Sequence, residues 1–105
     1  MMSPNESPGL NKLVEEMGEV LQLCGKIAAF PGGDHPDGAG GLYDRITLEL
    51  GDLMAAIDFF AGHNLTRPQL DAMRARAEIK SARFNAWHED PECLLEEGAN
   101  VPTTF

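Results

Sequence analysis

The chain has 105 residues and a net charge of −9, from 17 acids against 8 bases. That balance argues against a general nucleic-acid binder, which needs a basic surface, though a local metal and a few bases can still make a nucleotide site. The 43% hydrophobic and 24% charged residues are ordinary for one small soluble domain, and no apolar run approaches the length of a membrane span.

Met1 to Gly9 is polar, carries Glu6 and two prolines, and reads as a loose arm rather than a signal peptide. A helix is expected from about Leu10 to Ala29. Leu10, Leu13, Val14, Met17, Leu21, Cys24 and Ala28 recur at helical spacing and form its expected core stripe, which makes Cys24 a buried thiol. Glu16, Glu19, Val20 and Ile27 lie on the flank of that stripe. Phe30-Pro31 ends the helix.

Pro31 to Gly41 holds five glycines, two prolines and two aspartates, and reads as a flexible connector in preference to a substrate lid. It lacks the Gly-Lys pattern of a phosphate-cradling loop, and Asp34, His35 and Asp37 are expected to be solvated. A second helix is expected over about Leu42 to Gly62, with Leu42, Ile46, Leu50, Leu53, Ile57 and Phe60 as its stripe. Glu49 projects close to that stripe. A purely structural helix rarely places an acid there, because an unpaired buried carboxylate is costly.

Thr66-Arg67-Pro68-Gln69 reads as a capping box that opens a third helix running to about Trp87 or His88. Five of the eight bases fall on it: Arg67, Arg74, Arg76, Lys80 and Arg83. Residues 89–105 read as an irregular tail. The whole is expected to be one all-α domain: an antiparallel helix hairpin plus a third long helix, completed by oligomerisation.

One chemical pattern occurs twice, as Glu16-Met17-Gly18-Glu19-Val20 and as Glu49-Leu50-Gly51-Asp52-Leu53. In a helix the two acids of each pair share a face. Two such helices side by side gather four like charges, and a hard divalent cation with oxygen ligands relieves their repulsion. Gly18 and Gly51 are read as permitting close helix approach or leaving space beside the metal. His35, His63 and His88 are scattered, and no nucleophilic triad follows from spacing.

Glu15-Glu16-x-x-Glu19 followed by Glu49-x-x-Asp52 resembles the signature of the MazG-like proteins of the all-α nucleoside triphosphate pyrophosphohydrolase superfamily. The resemblance covers about Leu10 to Trp87, with a spacer of 29 residues at the long end of expectation. It implies Mg²⁺, or Mn²⁺ as a substitute, held by Glu16, Glu19, Glu49 and Asp52. Glu15, with Glu16, is then catalytic and helps activate water. Lys26, Lys80 and Arg83 are the implied triphosphate contacts, and Asn85 or Trp87 the implied base or ribose contacts. For Lys80 and Arg83 a solvated face, and for Trp87 core packing, remain alternatives. The implied reaction converts a (d)NTP and water to (d)NMP and pyrophosphate. The implied assembly is a cytoplasmic homodimer or homotetramer, with no nucleic-acid or membrane partner. The competing reading is a catalytically inactive MazG-like protein that binds a nucleotide or a protein partner. A carboxylate-bridged di-iron site fits poorly, since Glu19 and Asp52 stand where that class places histidines.

Overall fold

The computed structural model describes residues 7–90 and residue 92. The tail beyond residue 92, with Cys93, lies outside the described residues, as do the first six residues of the expected N-terminal arm. Three helices follow one another: α1 (Leu10–Ala29), α2 (Leu42–Asn64) and α3 (Arg67–Glu89). The all-α expectation holds, and each helix lies close to its expected bounds. The chain divides at Leu65/Thr66 into two compact units, the first holding α1 and α2 and the second α3.

In the first unit α1 and α2 pack along their length as an antiparallel hairpin. Its open end is fastened by Asn64, whose side-chain amide donates to the Pro8 carbonyl at 2.9 Å and to the Phe60 carbonyl at 2.8 Å. Gly9, just before α1, has φ of 85°. A Cβ there would come within 2.6 Å of the Phe59 ring, so both the backbone twist and the approach of α2 require glycine. At the closed end the Leu42 amide donates to the Gly33 carbonyl at 2.8 Å, joining the connector to the start of α2.

The seam between the helices is spaced three and four residues apart, as in a coiled coil. From α1 it takes Leu13, Glu16, Val20, Leu23 and Ile27; from α2, Leu42, Ile46, Glu49, Leu53, Ala56 and Phe60. Leu42 is fully buried, and Leu23, Ala56 and Ala61 nearly so. This corrects the expectation for α1. The stripe through Leu10, Val14, Met17, Leu21 and Cys24 is exposed, and Cys24 is a free, exposed thiol. On α2, Leu42, Ile46, Leu53 and Phe60 turn inward as expected, whereas Leu50 and Ile57 stay exposed. The physical reason is that each helix carries two apolar stripes, adjacent around its axis. One neighbouring helix covers only one of them, and it covers the one that contains the acids.

One of the two readings of the repeat's glycines is also corrected. A Cβ at Gly18 or Gly51 meets nothing within 4 Å, so neither serves close approach of α1 to α2.

In the second unit α3 starts at the expected capping box. Thr66 Oγ1 accepts from the Gln69 amide at 3.3 Å, and the Gln69 side-chain oxygen accepts from the Thr66 amide at 2.9 Å. No α3 residue is fully buried; Phe84 and Trp87 form a ring pair 5.6 Å apart.

Two substitutions check the hairpin by urea denaturation. Leu42→Ala, which empties the most buried position, is expected to cost about 2–5 kcal/mol. Gly51→Ala, which adds a methyl into open space mid-helix, is expected to stabilise by up to about 1 kcal/mol.

Candidate functional site

Because the hairpin is antiparallel, the repeated acid pairs meet at its middle. Glu16 and Glu19 come from α1 and Glu49 from α2, and one oxygen of each lies within 4.8 Å of the others. Glu16 and Glu49 occupy seam positions where a leucine or valine would otherwise sit, and Glu19 flanks the seam. Glu16 Oε2 and Glu49 Oε2 are buried with no hydrogen-bond partner. Buried polar oxygens are ordinarily paired, so this pair of orphans is a local departure from the rule.

The electrostatics follow from that crowding. Glu49 is pushed up to about 7, first by a hydrogen bond to Glu19 in which Glu49 keeps the proton and Glu19 accepts, then by burial and the charges of Glu19, Asp52 and Glu16. Glu16 is also raised, by burial first and then by the charges of Glu19 and Asp52. Asp52 is exposed beside the cluster and acts on both seam glutamates through its charge. The expected four-acid set is therefore present as three converging carboxylates with a fourth alongside.

Glu15 stands apart. It is exposed and paired with Lys12 at 3.1 Å, one turn earlier on α1. The Lys12 ammonium is stabilised by that hydrogen bond, so its pKa is raised.

Two grooves flank the acids. One, of about 630 Å³, is lined by Lys12, Glu16, Asp52, Ala55, Ala56 and Phe59. The other, of about 360 Å³, is lined by Glu19, Gln22, Leu23, Lys26, Arg45, Leu48 and Glu49. Lys26, an expected phosphate contact, thus stands in a groove whose wall includes two of the acids. Arg45 stands with it and was missed by the sequence reading. Its signal was present: it precedes Glu49 by four residues and shares its face. Lys80, Arg83, Asn85 and Trp87 lie on α3, in the second unit; the acid cluster is assembled by α1 and α2 alone.

The connector is more ordered than a flexible, solvated link. Asp37 accepts through its carboxylate from Lys26 Nζ at 3.1 Å, from Arg45 at 3.1 and 3.2 Å, and from the Ala39 amide at 3.1 Å. Those contacts, the Ala39 amide first and Lys26 next, hold its carboxyl well below the usual range. His35 Nδ1 accepts the Asp37 amide at 3.0 Å and lies 3.2 Å from the Asp37 carboxylate. The His35 ring packs edge-on against Phe30.

The raised Glu49 fixes the sign of a pH effect. Unfolded, this carboxyl loses its proton near 4.5; folded, it keeps it to about 7. Its stabilising contribution is complete below 4.5 and is lost as pH rises through about 7. In metal-free buffer the urea midpoint is expected to fall across that window, and Glu49→Gln to flatten the fall. No family model matches this chain, and no curated protein or solved structure matches it.

Proposed function

We propose that the protein is a Mg²⁺-dependent nucleoside triphosphate pyrophosphohydrolase of the MazG-like kind. The observation that carries this reading is the pair of buried, unpartnered carboxylate oxygens at the centre of a three-acid cluster. Ligand oxygens around Mg²⁺ at 2.0–2.1 Å stand roughly 3–4 Å apart, within rotamer reach of the observed spacing. An all-oxygen, all-carboxylate donor set is what a hard cation selects.

In this reading Glu16, Glu19 and Glu49 hold the ion and Asp52 completes the set. Binding the ion would release the proton shared by Glu19 and Glu49 to solvent. Bound Mg²⁺ would neutralise phosphate oxygens and orient water for in-line attack at the α-phosphorus. Glu15, outside the ligand set, accepts the proton of that water after parting from Lys12. The phosphates lie toward Lys26 and Arg45, which line the groove beside Glu19 and Glu49. The product pair is a (d)NMP and pyrophosphate.

The same reading includes a homodimer or homotetramer. Leu10, Val14, Met17 and Leu21 on α1, with Leu50, Met54 and Ile57 on α2, expose large apolar side chains, Leu21 to 73%. Helices with two adjacent apolar stripes belong in bundles of more than two helices, and a second hairpin supplies the missing layer. Among the described residues no helix is long and apolar enough to cross a membrane.

Two measurements test these statements. A (d)NTP panel with Mg²⁺ is expected to release pyrophosphate from at least one nucleotide, and Glu16→Gln or Asp52→Asn to reduce the rate by roughly a hundredfold or more with helicity retained. Wild-type rates in both variants remove the metal assignment. Leu21→Glu, harmless to a lone hairpin, is expected to reduce the assembly seen by sedimentation to single chains.

A further inference from the structure

Lys26 and Arg45 are the two cations lining the groove beside Glu19 and Glu49, and both are engaged by one connector carboxylate. Cations placed beside an acid cluster are most simply explained by attraction to those acids. Here they are drawn instead toward Asp37, which bridges the end of α1 and the first turns of α2. The bridge is the chemical image of one phosphate: two oxygens and one negative charge, with both oxygens on one guanidinium nitrogen of Arg45 and one of them on the Lys26 ammonium. Its side chains are partly shielded, at 24% exposure for Lys26, 23% for Arg45 and 29% for Asp37, so the contacts are less screened than surface pairs.

We propose that Lys26 and Arg45 form a polyphosphate subsite that Asp37 occupies in the free protein, and that an incoming polyphosphate displaces this carboxylate. The connector is then a latch. The backbone just after Asp37 is unconfined: Gly38 and Gly40 have φ of 68° and 101°, and a Cβ at either would meet nothing within 4 Å. A polyphosphate offers several oxygens and more charge than one carboxylate, and an ion held by the neighbouring acids would add a second attachment. When the acids hold an ion, a chain long enough to span both places has the further advantage. This specificity argument rests on the hydrolase reading; the anion subsite does not.

The contrary possibility is that Asp37 merely orients the two cations, in which case removing its charge weakens anion binding. Asp37→Asn separates the two. With inorganic tripolyphosphate as the probe and no divalent ion, Asp37→Asn is expected to bind about tenfold more tightly than wild type, the scale of one charge-assisted hydrogen bond. Lys26→Ala and Arg45→Ala are expected to bind several-fold more weakly. Equal or weaker binding by a folded Asp37→Asn overturns the latch. In the wild-type chain, tripolyphosphate is expected to shift the Asp37 and Ala39 amide resonances as the carboxylate leaves. Shifts confined to residues elsewhere also overturn it, whatever the variant's stability. With Mg²⁺ and a nucleotide that the chain hydrolyses, Asp37→Asn is expected to lower KM several-fold. If no nucleotide is hydrolysed by any form, the hydrolase reading fails while the tripolyphosphate results still decide the latch.

Discussion

Two glutamates placed where a helix hairpin needs apolar residues set the character of this structure. Glu16 and Glu49 hold seam positions of α1 and α2, between Leu13 and Val20 on one side and Ile46 and Leu53 on the other. Their desolvated oxygens make the hairpin weaker than its leucines alone would make it, because a buried acceptor without a donor loses its water and gains nothing. Glu49 meets part of the difficulty by keeping its proton and sharing it with Glu19. The antiparallel turn of the chain is what makes this crowding possible. One short acid motif, used twice and read in opposite directions, converges on itself.

The second constraint is the width of the apolar arc on each helix. The stripe through Leu13, Val20, Leu23 and Ile27 is covered by α2, while the adjacent stripe through Val14, Met17 and Leu21 faces outward. Covering the acid-bearing stripe within one chain shields the site from bulk water on one side. It leaves the adjacent apolar stripe exposed. That division explains how a hairpin so poor in buried residues can be the element that presents the acids.

Much of this was legible in the chain's own pattern. The capping box at Thr66, the break at Phe30-Pro31 and the helical spacing of apolar residues gave three helices near their observed bounds. The convergence of Glu16, Glu19 and Glu49 followed from their i, i+3 spacing and from a connector short enough to force a hairpin. What periodicity did not reveal was which of two neighbouring stripes would face the partner helix, since a pattern of apolar residues carries no information about the direction of its neighbour. Cys24, and the close-approach reading of the repeat's glycines, went wrong for that reason. Arg45 had a local signal in its spacing from Glu49. Asp37 had none, because its partners lie eleven residues before it and eight after, and only folding brings them together.

The fastenings at the two ends of the hairpin have a mechanical corollary. At one end Asn64 and Phe59 pin α2 to the residues before α1; at the other the connector ties Gly33 to Leu42. Two rods held at both extremities have little freedom to spread or pinch at mid-span, and mid-span is where the carboxylates lie. Such a frame behaves as a calliper with a preset jaw. In the proposed centre it would rank cations by radius, resisting a larger alkaline-earth ion through helix stiffness rather than through ligand chemistry.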